Sequence, residues 1–166
     1  PLLHTQEPPQ PGPRQAQVES PAQPVLLIGY KRPDQYSPDD AALEVIGGIL
    51  SSGRTGLLYR ELVRDKRIAL AAQAASTFPA GKYDNLFVFL MAPSLGHTVE
   101  ENEKAFYDLL ERFKNETPDA EAVARVKTKS RAALVRRMAS NSGMAALLTA
   151  YYADYGDWRR LFTQLE

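Results

Sequence analysis

The sequence predicts an α+β fold, a two-layer sandwich in which helices pack on one face of a mainly antiparallel sheet. Three observations lead there. Apolar residues recur with the helical period in some segments and alternate, or run continuously, as strands do in others. The order of these segments reads β-β-α-α-β-β-α-α-α, which is neither the strict βαβ alternation of a parallel sheet nor an all-strand chain. Two of the strands are joined by the short turn Pro79-Ala80-Gly81-Lys82, and so close short a connection makes them an antiparallel hairpin. At 166 residues and 44% hydrophobic content, the chain suits one domain with its own core.

The elements follow in order. Residues 1–13 are rich in Pro and Gln with little to bury, and read as an extended linker or tail; residues 14–166 read as a single domain. Nine of the twelve prolines precede Asp39, so proline marks this one end. Gln15 to Glu19 and Val25 to Lys31 are expected to be strands that pair across the Pro21 to Pro24 turn, the second central in its sheet because it is almost continuously apolar. Ser37-Pro38-Asp39-Asp40 opens a helix, with Ser37 as cap, Pro38 at the first helical position and Asp40 completing a capping-box-like exchange. Ala42, Val45, Ile46, Ile49 and Leu50 form its apolar stripe. Gly47-Gly48 within it costs about 1 kcal/mol per glycine relative to Ala, which implies a close approach by another backbone. Further on, Asn85 to Ala92 is apolar on both faces, Thr98 with Glu101 has capping-box spacing, and Val99, Phe106, Leu109, Leu110 and Phe113 form a helical stripe. Thr117-Pro118-Asp119 opens the next helix, with Val123, Val126, Ala133 and Leu134 inward; Asn141-Ser142-Gly143 interrupts it; a last long helix ends at Gly156, and Trp158 and Leu161 start a short one.

The stretch from Gly47 to Ala74 organises the rest. Gly53 and Gly56 permit a turn that side chains would obstruct, Leu58 and Leu62 restart a helical stripe, and Ile68, Leu70, Ala72 and Ala74 alternate as a strand. This wording, with Gly53, Leu58, Tyr59, Arg60, Leu62, Arg64, Lys66 and Ala69 in an L-Y-R-x-L helix and an R-x-K-x-x-A segment, resembles the second, zinc-free half of the insulinase-like (pitrilysin) metallopeptidase family. The resemblance extends more weakly from about Arg14 to about Arg160. It implies a substrate-chamber domain without chemistry of its own, zinc in an N-terminal half outside this chain, and three partners: that zinc-bearing domain, a second subunit of the same family, and a peptide substrate. It also implies a bacterial periplasm or cell envelope as the location. In that family the zinc-free half supplies an Arg and, seven residues later, a Tyr that reach the substrate; matching the segment puts Arg64 on the Arg and Ala71 on the Tyr. The resemblance therefore implies Arg64 as a substrate-binding residue and a partner subunit as the source of the working pair. Two rival readings are a structural core-type subunit of the same fold without peptidase activity, and an unrelated α+β module binding peptide or RNA.

The residues also exclude functions. Twenty basic and twenty acidic residues leave no net field to recruit nucleic acid. The basic run from Arg125 to Arg137 lacks interleaved aromatics and reads as a solvated helix face or a surface for an acidic partner. There is no apolar run long enough to span a membrane, no signal-peptide pattern, and no initiator Met, the last suggesting a piece of something longer. Zinc hydrolysis needs about three ligands and a general base, whereas the chain has no cysteine and only His4 and His97, without an H-x-x-E-H pattern in either direction. No metal site and no catalytic residue are expected. Ser51-Ser52-Gly53 is not a G-x-S-x-G elbow, and Gly53-Arg54-Thr55-Gly56 lacks the lysine of a phosphate loop.

Overall fold

A computed structural model describes residues 8–163. Three strands, β1 (Leu26–Arg32), β2 (Ala69–Phe78) and β3 (Asn85–Pro93), form an antiparallel sheet in the order β1-β3-β2. The helices are α1 (Asp40–Leu50), α2 (Val99–Asn115), α3 (Ala120–Met138), α4 (Asn141–Tyr155) and the short α5 (Arg160–Thr163). Between α1 and β2 lie one 3₁₀ turn, Gly53–Thr55, and a π-helical segment, Tyr59–Asp65. The α+β sandwich with helices on one face is thus the observed fold.

Strand alternation decides which face the helices cover. Ile28 pairs with Phe89 and Ala74 with Phe89 from the other side, so Leu26, Ile28 and Tyr30, Phe87, Phe89 and Met91, and Ala72 and Ala74 share a face. That face meets Phe106 and Leu109 of α2 and Leu50, Leu58 and Leu62 of the central stretch in one core. Phe89 sits between Phe87 and Phe106, with ring centroids 5.0 and 4.7 Å away, so the sheet and α2 interlock through aromatic edges and faces. The opposite face presents Leu27, Leu86, Val88, Leu90, Ala71, Gln73 and Ala75. No described helix packs there.

Some expectations need correction. Gln15 to Glu19 is exposed and belongs to no strand, and β1, not β3, lies at a sheet edge. The apolar run of β1 is misleading because it alternates in place: Ile28 is half-buried under the helices while Leu27 is 62% exposed. β3 holds the centre because it is apolar on both sides and pairs with both neighbours. Asp40 makes no capping box. It pairs instead with Arg32, whose guanidinium also donates to Ser76 O and to Thr77 Oγ1 (3.0 Å), so one buried arginine joins β1, α1 and β2. Asp119 rather than Thr117 caps α3, accepting from Glu121 N at 3.1 Å, and Ser140 caps α4 from one residue before the expected break. Ala133 is exposed rather than inward, while α3 packs mainly on α1 and α4. Gly156 ends α4 at φ 70°, as its lack of Cβ allows.

The α2 capping box forms in full: Glu101 N donates to Thr98 Oγ1 and Thr98 N to Glu101 Oε2, both at 3.2 Å, while His97 Nδ1 lies 2.9 Å from the same carboxylate. The Thr98 N–H first, and His97 next, hold the Glu101 carboxyl below its ordinary value. A carboxylate depressed in the folded state stabilises above its unfolded pKa and loses that contribution as pH falls through the folded one. An NMR titration should therefore show Glu101 below a free glutamate, and Glu101→Gln should flatten the acid limb of the stability profile. A Glu101 titrating at the ordinary value, or an unchanged acid limb, contradicts this.

Candidate functional site

The stretch from Gly47 to Ala74 is shaped by close approaches at both ends. A Cβ on Gly47 would lie 2.9 Å from Ser76 Cβ, and one on Gly48 2.4 Å from Val126 Cγ1. The expected approach is real, but it comes from side chains of β2 and α3, not from backbone. Beyond α1 the two turn glycines serve for different reasons. Gly53 adopts φ 60°, which side chains disfavour. Gly56 has an ordinary extended conformation, but a Cβ there would meet Ser52 N at 2.6 Å and Leu50 O at 2.7 Å. Lys129 of α3 donates to Ser52 Oγ (2.9 Å) and Thr55 Oγ1 (3.3 Å), so a lysine absent from the turn's own sequence reaches it from 74 residues away and ties it to α3.

The chain then winds into the π-helical segment. Lys66 N donates to Glu61 O five residues back (2.9 Å), and Ile68 N to Leu62 O (3.0 Å). The wide turn lets Leu58 and Leu62 both reach full burial while Arg60 and Arg64 stay outside. π-turns of this kind recur at functional sites. Arg112 of α2 pairs with Glu61 and fixes the segment's outer side. Its exit is held tightly: Arg67 takes φ 57°, Ser94 Oγ donates to Arg67 O (2.7 Å), Ser94 N to Ile68 O (2.9 Å), and the buried Asn102 donates Nδ2 to Ile68 O and Thr98 O (both 3.0 Å).

On this rigid mount Arg64 is exposed and forks onto its neighbour, Nε to Asp65 Oδ1 at 2.7 Å and a terminal nitrogen to Oδ2 at 3.1 Å. The hydrogen bond raises the guanidinium pKa and holds the Asp65 carboxyl below its usual range. Any further acceptor at Arg64 would share it with Asp65. Ala71 lies elsewhere, on the open face of β2 opposite Ala92. Its methyl offers no donor. Among the described residues no three His, Cys, Asp or Glu side chains come together as metal ligands do; His97 serves the α2 cap, and His4 lies outside the described residues.

Three residues that hold this stretch or its flanks escape the sequence reading: Lys129, whose place in a basic run gives no signal, and Asn102 and Arg32. Asn102 falls on the same stripe as Phe106 and Leu109, and Arg32 on the same strand face as Ile28 and Tyr30. A polar residue in an apolar stripe was the available signal in both cases.

Replacing Gly53 by Val should cost more than about 1 kcal/mol through backbone strain, and Gly56→Val more again because rigid main-chain atoms occupy the space. Arg67→Gly should be neutral or stabilise by up to about 1 kcal/mol, since it relieves a left-handed residue. Denaturant midpoints decide: unchanged values for both Val variants, or a strongly destabilised Arg67→Gly, would mean the turn is not under this constraint.

Comparison with known proteins fits this geometry. Residues 1–130 match the family described as the peptidase M16 inactive domain. Zinc protease PqqE of Helicobacter pylori is 27% identical over 173 aligned positions, covering all of this chain and 38% of that protein, so the chain spans well under half the length of that relative. A protease structure from Helicobacter pylori superimposes with a TM-score of 0.70 at 25% identity, covering 86% of this chain and 35% of that one. The inactive peptidase domain of a candidate zinc protease from Bordetella parapertussis superimposes with a TM-score of 0.74 at 24% identity, covering 89% and 76%, and shows the fold. The chain is an α+β domain of the peptidase M16 inactive-domain family.

Proposed function

We propose that this domain is one wall of a peptide-holding chamber in a zinc metalloendopeptidase, and that its open sheet face looks toward the substrate. The observation that carries this reading is the sheet itself: an apolar face with Leu27, Leu90 and Ala71 on it, opposite the face that meets α2 and the central stretch in the core. Extended peptides bind such surfaces through apolar contact and strand-like pairing. Hydrolysis needs a metal and a base, and on this reading zinc and its ligands belong to an N-terminal domain outside this chain.

Arg64 is the residue of this domain closest in character to a substrate contact, and Ala71 limits what it does. With no hydroxyl at Ala71, this domain lacks the donor that would join a cation in stabilising a developing oxyanion. The working pair is then supplied by a second subunit of the same family. The same loss of Tyr favours a second reading, a structural subunit of this fold without peptidase activity; an upstream H-x-x-E-H helix in the full protein separates the two.

Steady-state kinetics on the assembled full-length protein test the assignment. Arg64→Ala should lower kcat/KM by less than about tenfold, about 1.4 kcal/mol, and Ala71→Tyr should leave it nearly unchanged. A hundredfold loss at Arg64 with stability intact would place the clamp in this chain instead.

A further inference from the structure

At the end of the sheet where β1 leaves β3, the chain forms a groove of about 500 Å3. Its walls are Phe78 and Pro79 from the β2–β3 turn, Pro33 after β1 and Leu86 of β3, with Lys31 and Asn85 adding polar groups. This size suits a bound ligand segment rather than a packing flaw. Phe78 keeps 49% of its surface exposed there, a large apolar ring beside two prolines. Asn85 makes the recess more specific. It is only 5% exposed, its Nδ2 donates to Tyr83 O (2.8 Å) and Pro33 O (3.4 Å), and its Oδ1 accepts from no described residue. A buried amide oxygen in that state asks for an N–H.

Pro8, Pro9 and Gln10 also line the groove, and Lys31 Nζ lies 3.4 Å from Pro8 O. The side chain of Gln10 donates Nε2 to Gly12 O at 2.8 Å, a bond within the segment itself. We propose that this groove is a recognition site for extended proline-rich peptide, and that residues 8–10 are its built-in occupant. Proline rings suit a floor of Phe78, Leu86, Pro33 and Pro79, and a chain with fixed φ loses little freedom on docking. A carbonyl meets Lys31. Of these three residues only Gln10 has a backbone N–H, and it does not meet Asn85 Oδ1 in this structure, which leaves that acceptor for an N–H of a competing peptide. The stretch preceding the sheet is then a docked strap rather than a free tether, and its tethering raises its local concentration so that a loose peptide of the same chemistry competes poorly.

Fluorescence anisotropy with a labelled peptide of residues 7–13, EPPQPGP, tests this on the full chain. Against the parent, a Pro8→Gly/Pro9→Gly variant with a loosened strap should bind the peptide at least about tenfold more tightly. Adding Phe78→Ala should cancel that gain, while adding Leu95→Ala, exposed in the loop between β3 and α2 and outside the groove, should not. Thermal melts on each variant separate lost binding from lost fold, and Asn85→Asp serves as a second groove variant if Phe78→Ala unfolds. Equal affinity for parent and loosened strap, retained binding in the folded groove variants, or no saturable binding at all would each overturn the proposal.

Discussion

The stacking of Phe89 between Phe87 and Phe106 is the contact on which the domain depends. It joins the central strand to α2, and Leu50, Leu58, Leu62 and Met91 complete the same core. Burial of such side chains contributes roughly 1.5–3 kcal/mol each, so a sheet of three strands with one covered face depends on α2 and the central stretch staying on that side. Every irregular feature of the central stretch follows from this. The chain must deliver Leu50 at the end of α1 and Leu58 shortly after into one core, and only a turn with a left-handed Gly53 and a side-chain-free Gly56 fits in between.

The same requirement explains why the polar residues are arranged as they are. The π-helical segment widens so that Leu58 and Leu62 both point inward, which leaves Arg60 and Arg64 on the rim. Asn102 and Ser94 then hold the backbone of Arg67 and Ile68 where the segment enters β2. Arg32 does comparable work at the other end of the strands, where its guanidinium satisfies Asp40, Ser76 O and Thr77 together. A chain held at both ends in this way presents the open face of the sheet as a stable surface, the property that a chamber wall needs.

Much of this was legible in the sequence, and the parts that were not share a cause. The central stretch, the β2–β3 hairpin, the Thr98–Glu101 box and the Gly156 cap are local patterns, each set by spacing within a few residues, and all are present. The errors concern long-range placement. Whether an apolar run such as Val25 to Ile28 sits at the centre or the edge of a sheet depends on its neighbours, which periodicity does not specify. Asp40 looked like a capping residue because the competing Arg32 lies across a turn and a strand end. The family resemblance reached the fold through Gly53, Leu58, Tyr59, Arg60, Leu62 and Arg64; it did not reach Asn102, Arg32 or Lys129, whose roles exist only in three dimensions.

The claim that the open sheet face looks toward substrate is tested most directly by photocrosslinking in the full-length protein. A photoreactive residue placed at Gln73, exposed on that face opposite Leu90, should capture a bound peptide, while one at Asp108, exposed on α2 in the helical layer, should not. Capture at Asp108 with none at Gln73 would put the substrate on the wrong side of the sheet and contradict the account.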